Sequence, residues 1–80
     1  MVENIGQTVK KILEKKGMTI SEFGRRINKS RENVYSIFER KSIDTALLEK
    51  ISEVLEYNFF TLYQKSVEEF IKKLRDQEEI

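Results

Sequence analysis

Two short helices joined by almost no chain constrain this sequence more than any other feature. Thr19 is followed three residues later by Glu22, the spacing of an N-terminal capping box, and Ile20, Phe23 and Ile27 then share one helical face. Asn28, a residue tolerant of positive φ, suits the stop. Ser30 caps the next helix, with Asn33 rather than Glu at its third position, and Val34, Ile37 and Phe38 form its inward side. The two or three residues between these helices are too few for antiparallel neighbours to lie flat, so the axes must cross steeply. A steep crossing needs a small residue where the backbones approach, and Gly24 stands there. Gly inside a helix costs about 1 kcal/mol against Ala, which implies a packing reason for it.

The rest of the chain is also helical in pattern. There is no Pro, there are three Gly, and no run alternates over a strand's length. Ile5, Val9, Ile12 and Leu13 mark one face of a first helix that Gly17 closes. Asp44 caps a fourth helix carrying Leu47, Leu48, Ile51, Val54 and Leu55, with Asn58 as its expected end. From Phe59 onward no breaker occurs, and Tyr63, Val67, Phe70, Ile71 and Leu74 continue the stripe. This reads as one long helix, or as two with a bend near Gln64–Ser66. Val, Ile, Leu and Phe make up 25 of the 80 residues, well above the range of disordered chains, and 80 residues hold one core.

Composition removes several function classes. The chain has no Cys and no His, so disulfides, thiol nucleophiles and the commonest general base are absent. Glu68-Glu69 and Glu78-Glu79 are adjacent pairs that point to different sides of a helix, and no phosphate loop or metal-ligand spacing occurs. The expectation is a protein that is not an enzyme and uses no cofactor or metal. No apolar run approaches membrane-spanning length, and Met1-Val2-Glu3-Asn4 lacks the regions of a signal peptide, so a cytoplasmic chain is expected. The net charge of +1 hides an asymmetry: residues 1–43 carry ten Lys/Arg and five acids, while residues 44–80 carry five and nine. A basic first half hints at a polyanion partner, although a solvated mixed-charge surface would give the same count.

The outer side of the third helix carries the chemistry that such a partner needs. With Val34, Ile37 and Phe38 inward, Arg31, Glu32, Asn33, Tyr35 and Ser36 face out. Arg can donate twice to guanine, Asn pairs both ways with adenine, and Glu accepts from the cytosine amino group. Tyr35 could meet a thymine methyl or a phosphate, or lean on the protein surface. Ser30 opens a helix N-terminus that attracts phosphate, and Arg25, Arg26, Lys29, Arg40 and Lys41 surround it. A second helix held out from the body in this way is a helix-turn-helix, the geometry that enters a major groove.

The segment from Gly17-Met18-Thr19 through Phe23, Gly24, Ile27, Ser30-Arg31, Val34 and Ile37, followed by the capped Asp44–Leu55 helix and Phe59-Phe60, resembles the Cro/repressor (XRE) helix-turn-helix family. The resemblance covers roughly residues 4–63. It implies an all-α, five-helix, lambda-repressor-like DNA-binding domain over 1–63, with residues 64–80 as an extended C-terminal helix. It also implies that the helix opening at Ser30 is the recognition helix, that Arg31, Glu32 and Ser36 match base-contacting positions, and that Thr19 matches a phosphate-contacting one. Three positions depart from the family pattern. Ile20 stands where a phosphate-holding Gln often follows the Thr, Asn28 takes the usual turn Gly, and the Glu39–Ile43 loop lacks Asn-Gly.

Members of this family commonly act as dimers on near-palindromic double-stranded DNA, and the amphipathic tail suggests how. Phe60, Tyr63, Val67, Phe70, Ile71 and Leu74 are the expected homodimer contacts, the alternative being that the stripe folds back beside Ile5 and Val9. The expected function is a sequence-specific, repressor-like transcriptional regulator. Expected phosphate contacts are Thr19, Arg25, Lys29, Ser30, Arg40 and Lys41; expected base contacts are Arg31, Glu32, Asn33, Tyr35 and Ser36. Other readings are an antitoxin that binds its toxin through the C-terminal helix, or a helical protein-interaction module that never touches DNA.

Overall fold

Five helices follow one another in a computed structural model that describes residue 2 and residues 4–78. They are α1 (Ile5–Lys16), α2 (Ile20–Arg26), α3 (Arg31–Phe38), α4 (Thr45–Leu55) and α5 (Phe60–Glu78). The fold is all-α, with no strand among the described residues. Met1 and Glu3 of the N-terminal segment, and Glu79 of the Glu78-Glu79 pair, lie outside the described residues.

Caps set most of the boundaries. The Thr19 hydroxyl accepts from Glu22 N at 3.1 Å, the Ser30 hydroxyl from Asn33 N at 3.2 Å, and Asp44 Oδ1 from Leu47 N at 2.9 Å. Each removes one of the unpaired N–H groups that open a helix. The reciprocal half of the Thr19 capping box does not form: the Glu22 carboxylate turns along the helix to Arg26 Nη2, 3.1 Å away. Gly17 ends α1 at φ 70, a left-handed conformation that Gly adopts without strain.

The end of α4 differs from the sequence reading. Glu56, not Asn58, is the left-handed residue that stops this helix, at φ 51. Asn58 instead starts α5, where its Oδ1 accepts from Phe60 N at 3.0 Å and its carbonyl oxygen from Thr61 N. An Asn at a helix junction can serve either neighbour, because the same short side chain tolerates left-handed backbone and caps N-termini. Of the two readings of the tail, the structure shows a single helix through Gln64–Ser66.

The core is wholly apolar among the described residues. Ile5, Val9, Leu13, Phe23, Ile27, Val34, Ile37, Phe38, Ile43, Leu48, Ile51, Leu55 and Phe59 are buried, and no polar side chain joins them. Gly24 is buried between α2 and α3, and a Cβ there would lie 2.8 Å from the Lys29 carbonyl oxygen and 3.2 Å from Val34 Cγ2. The steep crossing therefore closes over hydrogen in place of a side chain. Replacing Gly24 with Leu should push α3 outward and cost roughly 1–3 kcal/mol by overpacking, and thermal unfolding followed by circular dichroism checks it.

A second close approach has no counterpart in the sequence reading. Gly6, in the first turn of α1, packs on the backbone at the end of α3; a Cβ there would lie 2.7 Å from the Phe38 carbonyl and closer still to Ile37 O. Gly6 N donates to Arg40 O at 3.0 Å, and Gln7 Nε2 donates to Phe38 O at 2.8 Å. The start of α1 thus supplies donors to carbonyls that the end of α3 leaves unpaired. It holds α3 at its C-terminal end, as Gly24 does near its N-terminal end.

α5 departs from this body. Phe60 and Tyr63 are half-buried against the core, whereas every residue from Val67 to Glu78 is exposed. The principal extents of 54 × 20 × 20 Å fit such an overhang, as does the radius of gyration of 15.2 Å. A compact 80-residue chain would have about 12 Å. The stripe does not return to Ile5 and Val9, both of which the body already buries completely.

Candidate nucleic-acid interface

Packing fixes which side of α3 is free. Val34, Ile37 and Phe38 are buried, and Arg31, Glu32, Asn33, Tyr35 and Ser36 are exposed, so all five residues named as base contacts lie on accessible surface. Tyr35 leans edge-on against Phe38, with ring centroids 6.2 Å apart, and remains 49% exposed. The packing alternative thus accounts for one side of this ring, and its remaining half faces water.

Cations stand at both ends of α3. Arg25 and Lys29 come from the end of α2 and the turn, on the side of Ser30 and Arg31; Arg40 and Lys41 follow the other end. Eight helical residues separate these groups by about 12 Å, close to the width of a major groove. All of these cations are exposed. Among the described residues one ion pair forms, Arg26 with Glu22, which leaves Arg25, Lys29, Arg31, Arg40 and Lys41 without an internal counter-charge. The Gly6–Arg40 backbone bond and the Lys29 N to Gly24 O bond, 2.8 Å long, hold the chain from which Arg40 and Lys29 project.

The start of α3 has anion-binding capacity. Ser30 accepts from Asn33 N through its side chain and from Val34 N through its carbonyl, both within the first turn. The N–H groups of Arg31 and Glu32 precede these bonds and point out of the helix end. Thr19 and Ser30, named as phosphate contacts, use a hydroxyl oxygen as acceptor in capping, so each hydroxyl hydrogen is still free to donate. Ile20 is half-buried and packs on the core, so where a Gln could hold phosphate this chain has a hydrophobic anchor.

Sequence reasoning missed two residues that set the site and one that modifies its charge. Gly6 and Gln7 orient the far end of α3, and the signal available was a Gly inside a helical pattern, the same signal that marked Gly24. Glu39 is exposed one turn beyond Ser36 and falls with Glu32 and Ser36 on the side opposite Val34. Glu32 and Glu39 thus stand beside Arg31 and Arg40 at the two ends of the exposed face, and the exposed residues between them, Asn33, Tyr35 and Ser36, are uncharged. Such a surface offers charge at its ends and neutral groups that both donate and accept hydrogen bonds at its middle.

Two capped helices crossing over a buried Gly, with the second presenting a polar face between cationic ends, define a helix-turn-helix protein. A family model described as Helix-turn-helix matches residues 9–62, more than half of the chain, and the chain belongs to that family, the Cro/C1-type (XRE) helix-turn-helix proteins. It is a family of DNA-binding regulators that act on double-stranded DNA and are typically non-enzymatic. No curated protein and no solved structure gives a significant match to the chain. No helix among the described residues is long and apolar enough to cross a membrane.

Proposed function

We propose that this protein is a sequence-specific, repressor-like transcriptional regulator that inserts α3 into the major groove of an operator. The observation that carries this reading is the exposed polar face of α3, held at both ends by close backbone packing and flanked by unpaired cations. Arg31, Glu32, Asn33, Tyr35 and Ser36 meet base edges, and Thr19, Arg25, Lys29, Ser30, Arg40 and Lys41 hold the phosphates on either side. Residues 1–63 form the DNA-binding unit and residues 64–80 extend it. One such helix spans few base pairs, so two copies read a near-palindromic site with half-sites about 34 Å apart.

The test separates base from phosphate contacts. Arg31→Ala should cost roughly 1–3 kcal/mol on the preferred duplex and much less on random duplex, because it removes a contact to base edges. Fluorescence anisotropy on the two duplexes measures both. Equal losses on both would remove Arg31 from base readout. For wild type, about five phosphate contacts per subunit predict that log K falls with log salt at a slope near −4 to −5 per subunit.

A further inference from the structure

One large apolar side chain stands in water on the body of the molecule. Among the described residues, the exposed large hydrophobics are Val67, Phe70, Ile71 and Leu74 on the overhanging part of α5, and Tyr35 on α3. The other exposed residues of α3, Arg31, Glu32, Asn33 and Ser36, are all polar. An aromatic ring in that setting keeps its apolar surface hydrated until an apolar group covers it.

The ring is braced without being covered. It meets Phe38 at an interplanar angle of 85°, with centroids 6.2 Å apart. Phe38 is 4% exposed, so Tyr35 leans on a support fixed in the core while half of it faces solvent. A Tyr side chain has two rotatable angles, and one already braced loses little freedom on making a contact. Helical spacing sets Tyr35 one turn beyond Arg31 on the same flank of the exposed face, about 6 Å along the axis.

The chemistry of the major groove names what such a ring can cover. Base edges there present hydrogen-bond donors and acceptors, and the one alkyl group among them is the C5-methyl of thymine. 5-Methylcytosine carries the same methyl at the same ring position. A phosphate would engage the hydroxyl alone and leave the ring in water. Tyr35 also lies with Asn33 and Ser36 in the uncharged stretch of the face, away from the cations that hold phosphate.

We propose that Tyr35 recognises the C5-methyl group of a pyrimidine through its aromatic ring, close to the base that Arg31 reads. The inference rests on the reading of α3 as the base-reading helix and goes further, because it names the group read. Thymine supplies the methyl in unmodified DNA, and 5-methylcytosine is the other source of the same contact.

Uracil tests this directly, since it keeps the base pairing of thymine and lacks the methyl. The motif that the full chain selects from a random duplex pool is resynthesised with uracil at each thymine in turn, and separately with 5-methylcytosine at each cytosine. Fluorescence anisotropy then measures affinity. At one position of each half-site, uracil should weaken wild-type binding about fourfold, the contribution expected of one buried carbon group. Tyr35→Phe should keep this difference, because it retains the ring and loses the hydroxyl. Tyr35→Ala should bind the thymine and uracil duplexes equally, which closes a double-mutant cycle on the ring and the methyl. If instead methylation of one cytosine tightens wild-type binding about fourfold and leaves Tyr35→Ala unmoved, 5-methylcytosine is the source. A motif at which neither substitution changes wild-type affinity would overturn the inference while base readout by α3 stands. So would a methyl effect that persists in Tyr35→Ala or disappears in Tyr35→Phe. Failure to enrich any motif would overturn both readings together.

Discussion

A Gly6→Leu variant should lose about 3 kcal/mol of stability, or roughly 15 °C in Tm, the largest effect expected of any single change outside the apolar core. The reason is where its Cβ must go. The backbone of Ile37 and Phe38 lies directly over Gly6, and carbonyl groups at a helix end cannot rotate aside as a side chain can. Any side chain at this position separates α1 from α3. It also breaks the Gly6–Arg40 bond and strains the Gln7–Phe38 bond, leaving the carbonyls of Phe38 and Arg40, at and just beyond the end of α3, without their donors. Gly17→Ala is the control. Gly17 has nothing within 4 Å, so its cost is confined to the left-handed backbone, about 1–2 kcal/mol. A Gly6→Leu protein melting within a few degrees of wild type would show that α1 does not hold the end of α3.

Replacing Lys29, Arg40 and Lys41 together with Ala should weaken duplex binding on the order of 100-fold at physiological salt. It should also flatten the salt slope by about 0.9 for each phosphate contact removed. These side chains lie at opposite ends of α3 and have no ion-pair partner among the described residues, so their removal leaves no buried charge and should leave the melting temperature nearly unchanged. The loss should be the same on preferred and random duplex, in contrast to Arg31→Ala. Titrations at several salt concentrations give both quantities. An unaltered slope would mean that these cations do not neutralise phosphate.

The helix-turn-helix was legible because each of its parts carries a local signal. Thr19 and Ser30 announce helix starts through their own hydroxyls, Gly24 announces close approach, and the inward residues of α3 repeat with helical period. Signals that depend on a distant partner were harder to see. Gly6 makes its contact 31 and 32 residues away in sequence, so a Gly inside a helical pattern marks a close approach there without saying to what. Glu56 adopts a left-handed conformation that nothing in its own chemistry requests; the packing of Tyr57 on Phe59 and the Ser52 oxygens that accept from Tyr57 N and Phe59 N show what turns the chain there. The tail shows the same division. Its periodicity shows that a stripe exists, but only the length of α5 beyond the body shows that the stripe is left uncovered.

The charges on the exposed face of α3 bear on the proposed reading as well. Glu32 and Glu39 set a negative charge beside Arg31 and Arg40 at either end, which limits the net positive charge there, and leave Asn33, Tyr35 and Ser36 uncharged between them. In the proposed reading, affinity comes from the margins and discrimination from the centre, a division of labour that DNA-binding surfaces commonly show.

Selection of binding sites from a random duplex pool tests most directly whether that centre meets bases. Full-length protein should enrich one short motif, present as two inverted half-sites about 10 base pairs apart. Recovery of a pool with the same base composition at every position as the input would contradict base readout by α3, however tightly the protein held the duplex.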